Sequence, residues 1–345
     1  MRAIVIHAAQ DLRIEEREEE KPVSGEVEVA IEVGGICGSD LHYFNSGGFG
    51  AIRLREPMIL GHEVAGTVVR TGPDVAVLAV GDKVAVSPSR PCNYCRFCLA
   101  GLQQHCLNMQ FYGSAMPMPH IQGAFRQRLV ARTDQCHRIA DGISINHAAF
   151  AEPLAVVLHG ARRAGPVLGK RVLVTGCGPI GALAVLAARA GGAREIVATD
   201  VVDNTLRVAR SVGADRTINV AERNADLLAY GVDKGWFDLM FEASGHEGAM
   251  RAGIAALRPQ GVLVQLGTGN DASLPLSQIV AKEIELRGTF RFHEEFALAV
   301  DFLNAGRIDV RPLLSNIFPL AEATRAFEAA TDRRGAVKVQ IALQD

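Results

Sequence analysis

The sequence predicts an α/β protein with an additional β-rich domain, and three observations support this fold class. Short β-prone runs fill the first third of the chain, separated by Gly-Pro-Asp and Gly-Asp turns. From about residue 150, apolar strands alternate with helices, as in parallel βαβ units. After about residue 285 the alternation stops, and one last strand follows at 337–342. These changes predict a β-rich domain at 1–146, an α/β domain at 147–285 and a return to the first domain at 286–345.

Individual elements follow from hydrophobic periodicity. Apolar residues at every second position from Val27 to Val33 predict a half-buried strand. Two further β-prone runs, at 64–71 and 83–86, predict the next strands of this domain. In the α/β domain the predicted strands are 171–175, 195–200, 239–242 and 262–266, and the predicted helices are 153–164, 179–190 and 205–212.

Composition limits the classes of function. Of the 345 residues 48% are hydrophobic and 21% charged, and the formal net charge is −2. This balance is typical of a globular protein and gives no basic surface for nucleic acid or an anionic membrane. The densest apolar stretch, Gly181 to Ala190, is too short to span a bilayer, and the N-terminus lacks a secretory signal. We therefore expect a cytoplasmic protein with neither nucleic-acid nor membrane partners.

A glycine-rich turn predicts dinucleotide binding. The strand at 171–175 leads into Gly176-Cys177-Gly178-Pro179-Ile180-Gly181 and then into an apolar helix. In that context G-x-G-x-x-G lets the backbone approach a pyrophosphate at a helix N-terminus. Asp200 follows Gly181 by 19 residues and ends the next strand, where an acid accepts ribose hydroxyls and repels a 2′-phosphate. NAD is therefore favoured over NADP; the alternative is an α/β domain whose glycines only pack.

Four of the seven cysteines are crowded into a lobe at about residues 90–110. They are Cys92, Cys95, Cys98 and Cys106. Four thiolates complete the tetrahedral coordination of Zn²⁺ and leave no open position, so this spacing predicts a structural zinc. Four unligated cysteines in a small core are the alternative, but the polar residues around them do not suit one.

A second set of metal-binding side chains is scattered along the chain, as in a site assembled from separate elements. Cys37 lies in a Gly-Ile-Cys-Gly-Ser-Asp segment, His62 and Glu63 are adjacent, and Glu152 precedes a proline. Each has a structural alternative: Cys37 as a small core residue, His62 as a hydrogen-bonded histidine, and Glu152 as an acid at a helix N-terminus.

Taken together, these motifs resemble the zinc-containing medium-chain dehydrogenase/reductase family, polyol dehydrogenase branch. The match rests on the order and spacing of Gly61–Gly66 (GHEVAG), Cys37–His42 (CGSDLH), the four-cysteine lobe and the cofactor turn. The resemblance runs from end to end of the chain. It implies a GroES-like catalytic domain, a Rossmann domain with a doubly wound parallel sheet that binds NAD, and an active site between them.

The resemblance also implies roles in metal binding. Cys37 and His62 match catalytic zinc ligands, and Glu152 matches the position of the third. Glu63 is the alternative carboxylate ligand. With the closed cysteine site, the expected content is two Zn²⁺ per chain. A dinucleotide-sensing protein with a zinc ribbon, the non-enzyme alternative, would bind one.

The same resemblance places residues in proton transfer and substrate binding. Ser39 is expected to receive the hydroxyl proton and to pass it through the cofactor ribose towards His42 and solvent. Tyr43 and Arg291 are expected to hold a polyhydroxylated substrate. A turn hydroxyl and a surface histidine are the alternatives for Ser39 and His42. Arg291 could instead contact the cofactor, or form an ion pair with Glu294 or Glu295.

Further cofactor contacts are implied at Leu266, Thr268, Phe290 and Arg291. The expected reaction is oxidation of a secondary alcohol of a polyol or sugar acid. The first choice of substrate is L-idonate, oxidised at C5 to 5-keto-D-gluconate. The residues that carry this part of the resemblance are 111–116, 119–120 and 288–292. For such an aldonate, Arg291 or His120 would meet the carboxylate. Enzymes of the sorbitol, xylitol and L-threonine type are the alternatives, and a homodimer or homotetramer is expected.

Overall fold

The computed structural model describes residues 1–269 and 271–344. They form a β-rich part, built from both ends of the chain, and a part with a six-stranded parallel sheet. This arrangement confirms the predicted fold class. In the described residues no helix combines the length and apolar character needed to cross a membrane.

The N-terminal segment is mostly β structure with three short helices. Its strands are β1 (Arg2–Ala8), β2 (Asp11–Glu16), β3 (Glu26–Gly35), β4 (Gly48–Phe49), β5 (Ile52–Arg53), β6 (Met58–Ile59), β7 (Glu63–Thr71), β8 (Lys83–Val86), β9 (Ser89–Arg90), β10 (Gln110–Phe111), β11 (Arg128–Arg132) and β12 (Cys136–Arg138). Its helices are α1 (Gly38–Ser46), α2 (Arg96–Leu99) and α3 (Ile145–Ala148). β9 and β10 pair antiparallel, Arg90 opposite Gln110, and so close the base of the cysteine-rich lobe.

The central segment alternates helices and strands. In order these are α4 (Ala151–Ala164), β13 (Arg171–Thr175), α5 (Pro179–Ala190), β14 (Glu195–Asp200), α6 (Asp203–Ser211), β15 (Arg216–Asn219), α7 (Asn224–Leu228), β16 (Phe237–Glu242), α8 (Glu247–Ala256), β17 (Leu257–Gln265), α9 (Leu276–Lys282) and β18 (Glu285–Gly288). All neighbouring strands pair parallel, in the order β15-β14-β13-β16-β17-β18. The order reverses between β13 and β16, so a ligand crevice is expected at the carboxyl ends of these two strands.

The last segment returns to the β-rich part. It contains α10 (Glu295–Asn304), β19 (Leu314–Pro319), α11 (Ala323–Thr331) and β20 (Lys338–Ala342). β20 pairs antiparallel with β3, Gln340 opposite Gly35, and parallel with β19. The seven-stranded sheet therefore runs β12-β8-β7-β3-β20-β19, with β11 also paired to β3. The chain end thus lies beside the segment that carries Cys37.

The strand β3 differs from the half-buried strand that its alternation predicts. Glu28 and Ala30, on the face expected to be solvated, are 2% and 8% exposed. The reason is tertiary, since β3 pairs with β7, β11 and β20 and is covered on both faces. Glu28 is buried beside two cations, Arg70 at 3.3 Å and Arg128 at 3.9 Å. Paired carboxylates are the ones that tolerate such burial.

Candidate active site

One buried carboxylate, Asp40, joins the two segments that carry Cys37 and His62. Cys37 is the N-cap of α1, and its backbone N–H donates to Oδ2 of Asp40 at 3.0 Å. The other oxygen, Oδ1, accepts from the N–H of Gly61 at 3.2 Å and lies 3.8 Å from Nδ1 of His62. Asp40 is completely buried. Its short side chain therefore holds the start of α1 against the segment that leads into β7.

Three metal-binding side chains converge at this point. One ligand atom from each of Cys37, His62 and Glu63 lies within 4.8 Å of the other two. Donors at 2.0–2.3 Å from a shared tetrahedral Zn²⁺ lie roughly 3–4 Å from one another, so this cluster fits the ion. Glu152, in the first turn of α4, is 5% exposed and stands outside that set of three. Of the two predicted carboxylates, Glu63 is thus the one that completes the compact cluster.

Charged and titratable side chains crowd around the cluster. Lys338, 2% exposed on β20, forms an ion pair with Glu63 and donates to the carbonyl of Ile36 at 2.9 Å. Burial raises the pKa of the Cys37 thiol to about 12, and the nearby Glu63 charge adds to this. Burial also raises the pKa of Glu152 to about 8. A divalent cation reverses this tendency, because it favours the thiolate and carboxylate forms.

The second cysteine set forms a compact cluster in the lobe. The Sγ atoms of Cys92, Cys95, Cys98 and Cys106 all lie within 4.8 Å of one another, and none is in a disulfide. Backbone N–H groups of Cys92 and Asn108 donate to Sγ of Cys106 at 3.2 and 3.3 Å. Although burial opposes it, hydrogen bonds from the Tyr94 backbone and the Asn108 side chain lower the pKa of Cys92 to about 6. Four thiolate donors with backbone N–H support fit a closed zinc site.

The glycine-rich turn links β13 to α5, at the reversal of strand order. Gly176 has φ +79°, and a Cβ there would lie 2.7 Å from the backbone N of Ser244. A Cβ on Gly181 would lie 1.7 Å from the carbonyl O of Gly176, whereas one on Gly178 would meet nothing within 4 Å. The first and third glycines are thus required by packing, and the second leaves open space in front of the α5 N-terminus. That space fits a cofactor pyrophosphate.

Asp200 ends β14 beside this turn. One carboxylate oxygen accepts from the N–H of Cys177 at 2.6 Å, and the other accepts from Val201 and Val202 at 2.6 and 3.1 Å. These donors hold the carboxylate at the rim of the cleft, where a cofactor ribose would be recognised.

Every residue predicted above for catalysis, catalytic zinc or cofactor binding lines a single cleft of about 920 Å³. The four cysteines of the lobe lie outside it. The cleft runs between the β-rich part and the carboxyl ends of the parallel strands. The sequence-predicted residues are therefore brought together in space, although they are separated by up to 254 positions, from Cys37 to Arg291.

The residues predicted for proton transfer lie on α1. Ser39 is close enough to Cys37 for its hydroxyl to oppose, slightly, the rise in the pKa of that thiol. His42 lies on the exposed side of α1, its ring 5.3 Å from that of Phe49. Partial burial and the charge of Arg333 both lower the pKa of His42. The imidazole is therefore neutral at pH 7 and able to accept a proton.

Arg291 enters the cleft as a cation with no carboxylate bound to it. Its guanidinium lies 4.2 Å from the ring centroid of Phe111 and 4.9 Å from that of Phe290, and it donates to Sδ of Met116 at 3.4 Å. In the described part of the chain it forms no ion pair. Burial lowers the pKa of Arg291 to about 10, so the group stays charged at neutral pH.

The alternative pairing of Arg291 with Glu294 or Glu295 is wrong. Both acids instead contact Arg162, at 2.9 and 3.0 Å, and Glu295 also contacts His159 at 3.1 Å. Tyr43 does face the cleft, and its hydroxyl accepts from the N–H of Ala115 at 3.1 Å. This bond uses only a lone pair of the Tyr43 oxygen, so the hydroxyl hydrogen can still be donated to a substrate oxygen.

The expectation that His120 could meet a substrate carboxylate is also wrong. His120 is 5% exposed and does not line the cleft. Its Nε2 accepts from the N–H of Arg55 at 2.9 Å, so the ring is protonated on Nδ1, which donates to the carbonyl of Pro117 at 2.9 Å. Both nitrogens are thus used in fixing the 114–121 loop.

Two residues of the site are not among those predicted from the sequence. Asp40 gives no distinct signal, since an acid in a Gly-Ser-Asp turn is usually a local cap. Lys338 does carry a signal, since it interrupts the apolar pattern of the last strand between Val337 and Val339. Lysine is rarely buried unless it is paired, so a lysine inside a core strand indicates a buried acid nearby.

Comparison with known proteins agrees with this geometry. The family model for the alcohol dehydrogenase GroES-like domain matches residues 23–141, and that for the zinc-binding dehydrogenases matches 179–305. The chain is 42% identical to the L-idonate 5-dehydrogenase (NAD(P)(+)) of Escherichia coli K12, over 91% of this chain and 90% of that protein. It is 35% identical to the sorbitol dehydrogenase of Gallus gallus, over 98% and 95% of the two chains.

The crystal structure of the Escherichia coli L-idonate 5-dehydrogenase superposes with a TM-score of 0.95, at 39% identity, over 99% of this chain and 97% of that one. The chain therefore belongs to the zinc-containing medium-chain dehydrogenase family, with a GroES-like domain and a Rossmann-type parallel sheet. It is an alcohol or polyol dehydrogenase that uses zinc and a nicotinamide cofactor and acts on a small molecule.

Proposed function

We propose that this enzyme oxidises a secondary hydroxyl of a sugar acid, with L-idonate oxidised at C5 as the first candidate and NAD as the acceptor. The observation that carries the choice of an acid is Arg291, a cation in the cleft without an ion-pair partner in the described residues. A half-buried charge without an ion-pair partner is only partly compensated, and a bound carboxylate would offset that cost. The match to an L-idonate 5-dehydrogenase adds independent support.

Two zinc ions per chain are part of the proposal. Cys37, His62 and Glu63 would hold the catalytic ion, and Cys92, Cys95, Cys98 and Cys106 the structural one. Glu152 then takes a place beside the catalytic ion as the alternative carboxylate. It is 5% exposed and lines the same cleft as Cys37, His62 and Glu63.

The residues of the chain have the following roles in the proposed reaction. The zinc held by Cys37, His62 and Glu63 would supply Lewis acidity to the substrate hydroxyl, and the cofactor in the cleft would supply the hydride acceptor for the carbinol carbon. Ser39 takes the hydroxyl proton, and His42, on the exposed side of α1, passes it to solvent. Tyr43 and Arg291 orient the substrate through its hydroxyl and carboxylate groups.

NAD would bind along the same cleft. Gly176, Gly178 and Gly181, with Pro179 and Ile180 of the first turn of α5, hold the pyrophosphate, and Asp200 binds the adenosine ribose. Leu266, Thr268, Phe290 and Arg291 line the nicotinamide end. The negative charge of Asp200 would repel a 2′-phosphate, which supports NAD over NADP.

A homodimer is the proposed assembly. β18 is one of the two edge strands of the parallel sheet, and Leu286 on it is 48% exposed. The adjacent helix α9 exposes Leu276 and Val280 by 69% and 75%. An open edge strand beside exposed apolar side chains can pair with a second copy. Light scattering at several protein concentrations measures the mass directly.

The test is initial-rate NAD reduction with L-idonate, D-gluconate, sorbitol, xylitol and L-threonine, with and without a zinc chelator. We expect the highest kcat/KM for L-idonate and loss of turnover on chelation. If the enzyme prefers sorbitol or xylitol, the proposed roles of zinc and the cofactor stand, but the substrate is a neutral polyol and not a sugar acid. Turnover that survives complete removal of zinc would contradict the proposed mechanism.

A further inference from the structure

The cysteine-rich lobe contacts the substrate end of the cleft through an aromatic pair. The ring of His105, next to Cys106, stacks on that of Phe290, with centroids 5.7 Å apart and planes 20° from parallel. Within the lobe, Phe97 approaches His105 at 6.5 Å. Phe290 follows β18 by two residues and directly precedes Arg291. The stack therefore joins the lobe to the segment that carries the cation of the cleft.

Arg291 depends on its surroundings for its position. Its φ of +52° lies in the left-handed region, which non-glycine residues adopt only when neighbouring structure holds them there. Its guanidinium rests against the rings of Phe111 and Phe290 and against Sδ of Met116. These contacts are less directional than a salt bridge, so they depend on the position of the rings. A fixed Phe290 ring therefore restricts the backbone before Arg291 and holds one of the surfaces on which the guanidinium rests.

A groove separates the lobe from this segment on one side of the stack. It has a volume of about 560 Å³ and is lined by Leu102 and Gln104 of the lobe and, opposite them, by Arg287 and His293. The two surfaces do not meet across this groove, so the ring pair of His105 and Phe290 is a discrete point of attachment beside it.

We propose that His105 is a positioning residue for Arg291: it holds Phe290, and Phe290 holds the guanidinium in the cleft. The proposal rests on the role proposed above for Arg291 in substrate binding. It gives the cysteine-rich lobe a part in substrate recognition in addition to its own folding. The effect is expected on substrate affinity, because His105 lies outside the cleft and does not touch the reacting groups.

The test uses steady-state kinetics of the zinc-loaded enzyme with its best substrate among L-idonate, D-gluconate, sorbitol and xylitol. His105→Ala should raise KM for that substrate by about threefold to tenfold, the range that one aromatic contact supplies. The zinc content should not change, and KM for NAD should rise less than KM for the substrate, because most of the predicted cofactor contacts lie elsewhere in the cleft. His105→Phe keeps a stacking ring and should stay within about twofold of the wild type. Tyr94→Ala, which removes another exposed lobe aromatic, is the matched control.

A double-mutant cycle with Arg291→Ala decides whether His105 acts through Arg291. If it does, adding His105→Ala to Arg291→Ala leaves substrate KM unchanged. An equal increase in both backgrounds, an increase in KM for NAD instead, or a loss of zinc in His105→Ala would each overturn the proposal. If Arg291→Ala raises KM and His105→Ala does not, the inference about His105 fails and the proposed function stands. If Arg291→Ala has no effect, the role of Arg291 fails, and the inference with it.

Discussion

Oδ1 of Asp40 lies 3.8 Å from Nδ1 of His62, while Oδ2 of the same carboxylate accepts the backbone N–H of Cys37 at 3.0 Å. One buried acid thus anchors the backbone of Cys37 and places a negative charge close to the ring of His62. A carboxylate near a metal-binding histidine increases the basicity of that ligand.

Replacing Asp40 should therefore weaken the catalytic metal site. We expect Asp40→Ala to lower zinc affinity or activity by about 10–100-fold. Zinc per chain after dialysis and kcat/KM with the best substrate measure the effect. Asp40→Asn keeps an oxygen acceptor for the Cys37 N–H and should lose less. Full zinc content and unchanged activity in Asp40→Ala would show that the carboxylate does not support the site.

Lys338 is expected to stabilise the zinc-free fold by balancing Glu63. Both side chains are at most 2% exposed, so removing one leaves a buried charge without its partner. Lys338→Met should lower the free energy of unfolding by about 3–5 kcal/mol. The measurement is urea denaturation in the presence of a chelator. The double variant Lys338→Met/Glu63→Gln should recover most of the loss, and no recovery would mean that the lysine acts through other contacts.

Two glycines of the cofactor turn should respond differently to alanine. Gly178→Ala meets no atom within 4 Å, so the fold should keep its thermal midpoint while KM for NAD rises roughly tenfold, a loss of about 1.4 kcal/mol of binding. Gly181→Ala places a Cβ 1.7 Å from the carbonyl of Gly176 and should destabilise the domain by about 1–3 kcal/mol. Differential scanning calorimetry and NAD titration separate the two effects. Equal loss of stability in both variants would contradict this assignment of roles.

Asp238 should make the stability of the parallel sheet depend on acidity. Its carboxylate accepts from Arg171 on β13 at 3.2 Å and from Arg258 on β17 at 2.6 Å. Although burial by itself would raise it, these hydrogen bonds lower the pKa of Asp238 from 3.8 to about 2. Because the native pKa is the lower one, the stabilisation is complete above pH 3.8 and is lost as the pH falls towards 2.

Asp238→Asn should therefore reduce the free energy of unfolding at pH 7 by about 1 kcal/mol, allowing for solvent screening of a partly exposed pair. The difference from the wild type should vanish near pH 2. Urea midpoints at the two pH values measure this. Asp226→Asn, at the exposed pair with Arg216, is the control and should change little at either pH. A difference that persists at pH 2 would exclude titration of Asp238 as the cause.

The elements of the parallel sheet could be predicted closely because their signal is local. The strands at 171–175 and 195–200 and the helix at 179–190 have the predicted bounds, since apolar runs of fixed length lie between glycine-rich turns. The burial of β3 could not be predicted in the same way. Its acidic face alternates like that of a surface strand, and only its partners β7, β11 and β20 explain the burial of Glu28.

The sequence by itself determined which chemical groups this protein possesses: the spacing of four thiols, the glycine turn with its acid, and the cysteine, histidine and glutamates of the second cluster. The types of ligand residue and their spacing over short distances are properties of the amino-acid sequence, so they can be predicted from it directly. Only the tertiary structure decided which groups meet. It brought Glu63 rather than Glu152 into the compact cluster, placed Lys338 beside Glu63, used both ring nitrogens of His120 in a loop, and left Arg291 facing the cleft. Those outcomes depend on side chains distant in sequence, whose separation is set by the packing of the two sheets around the cleft.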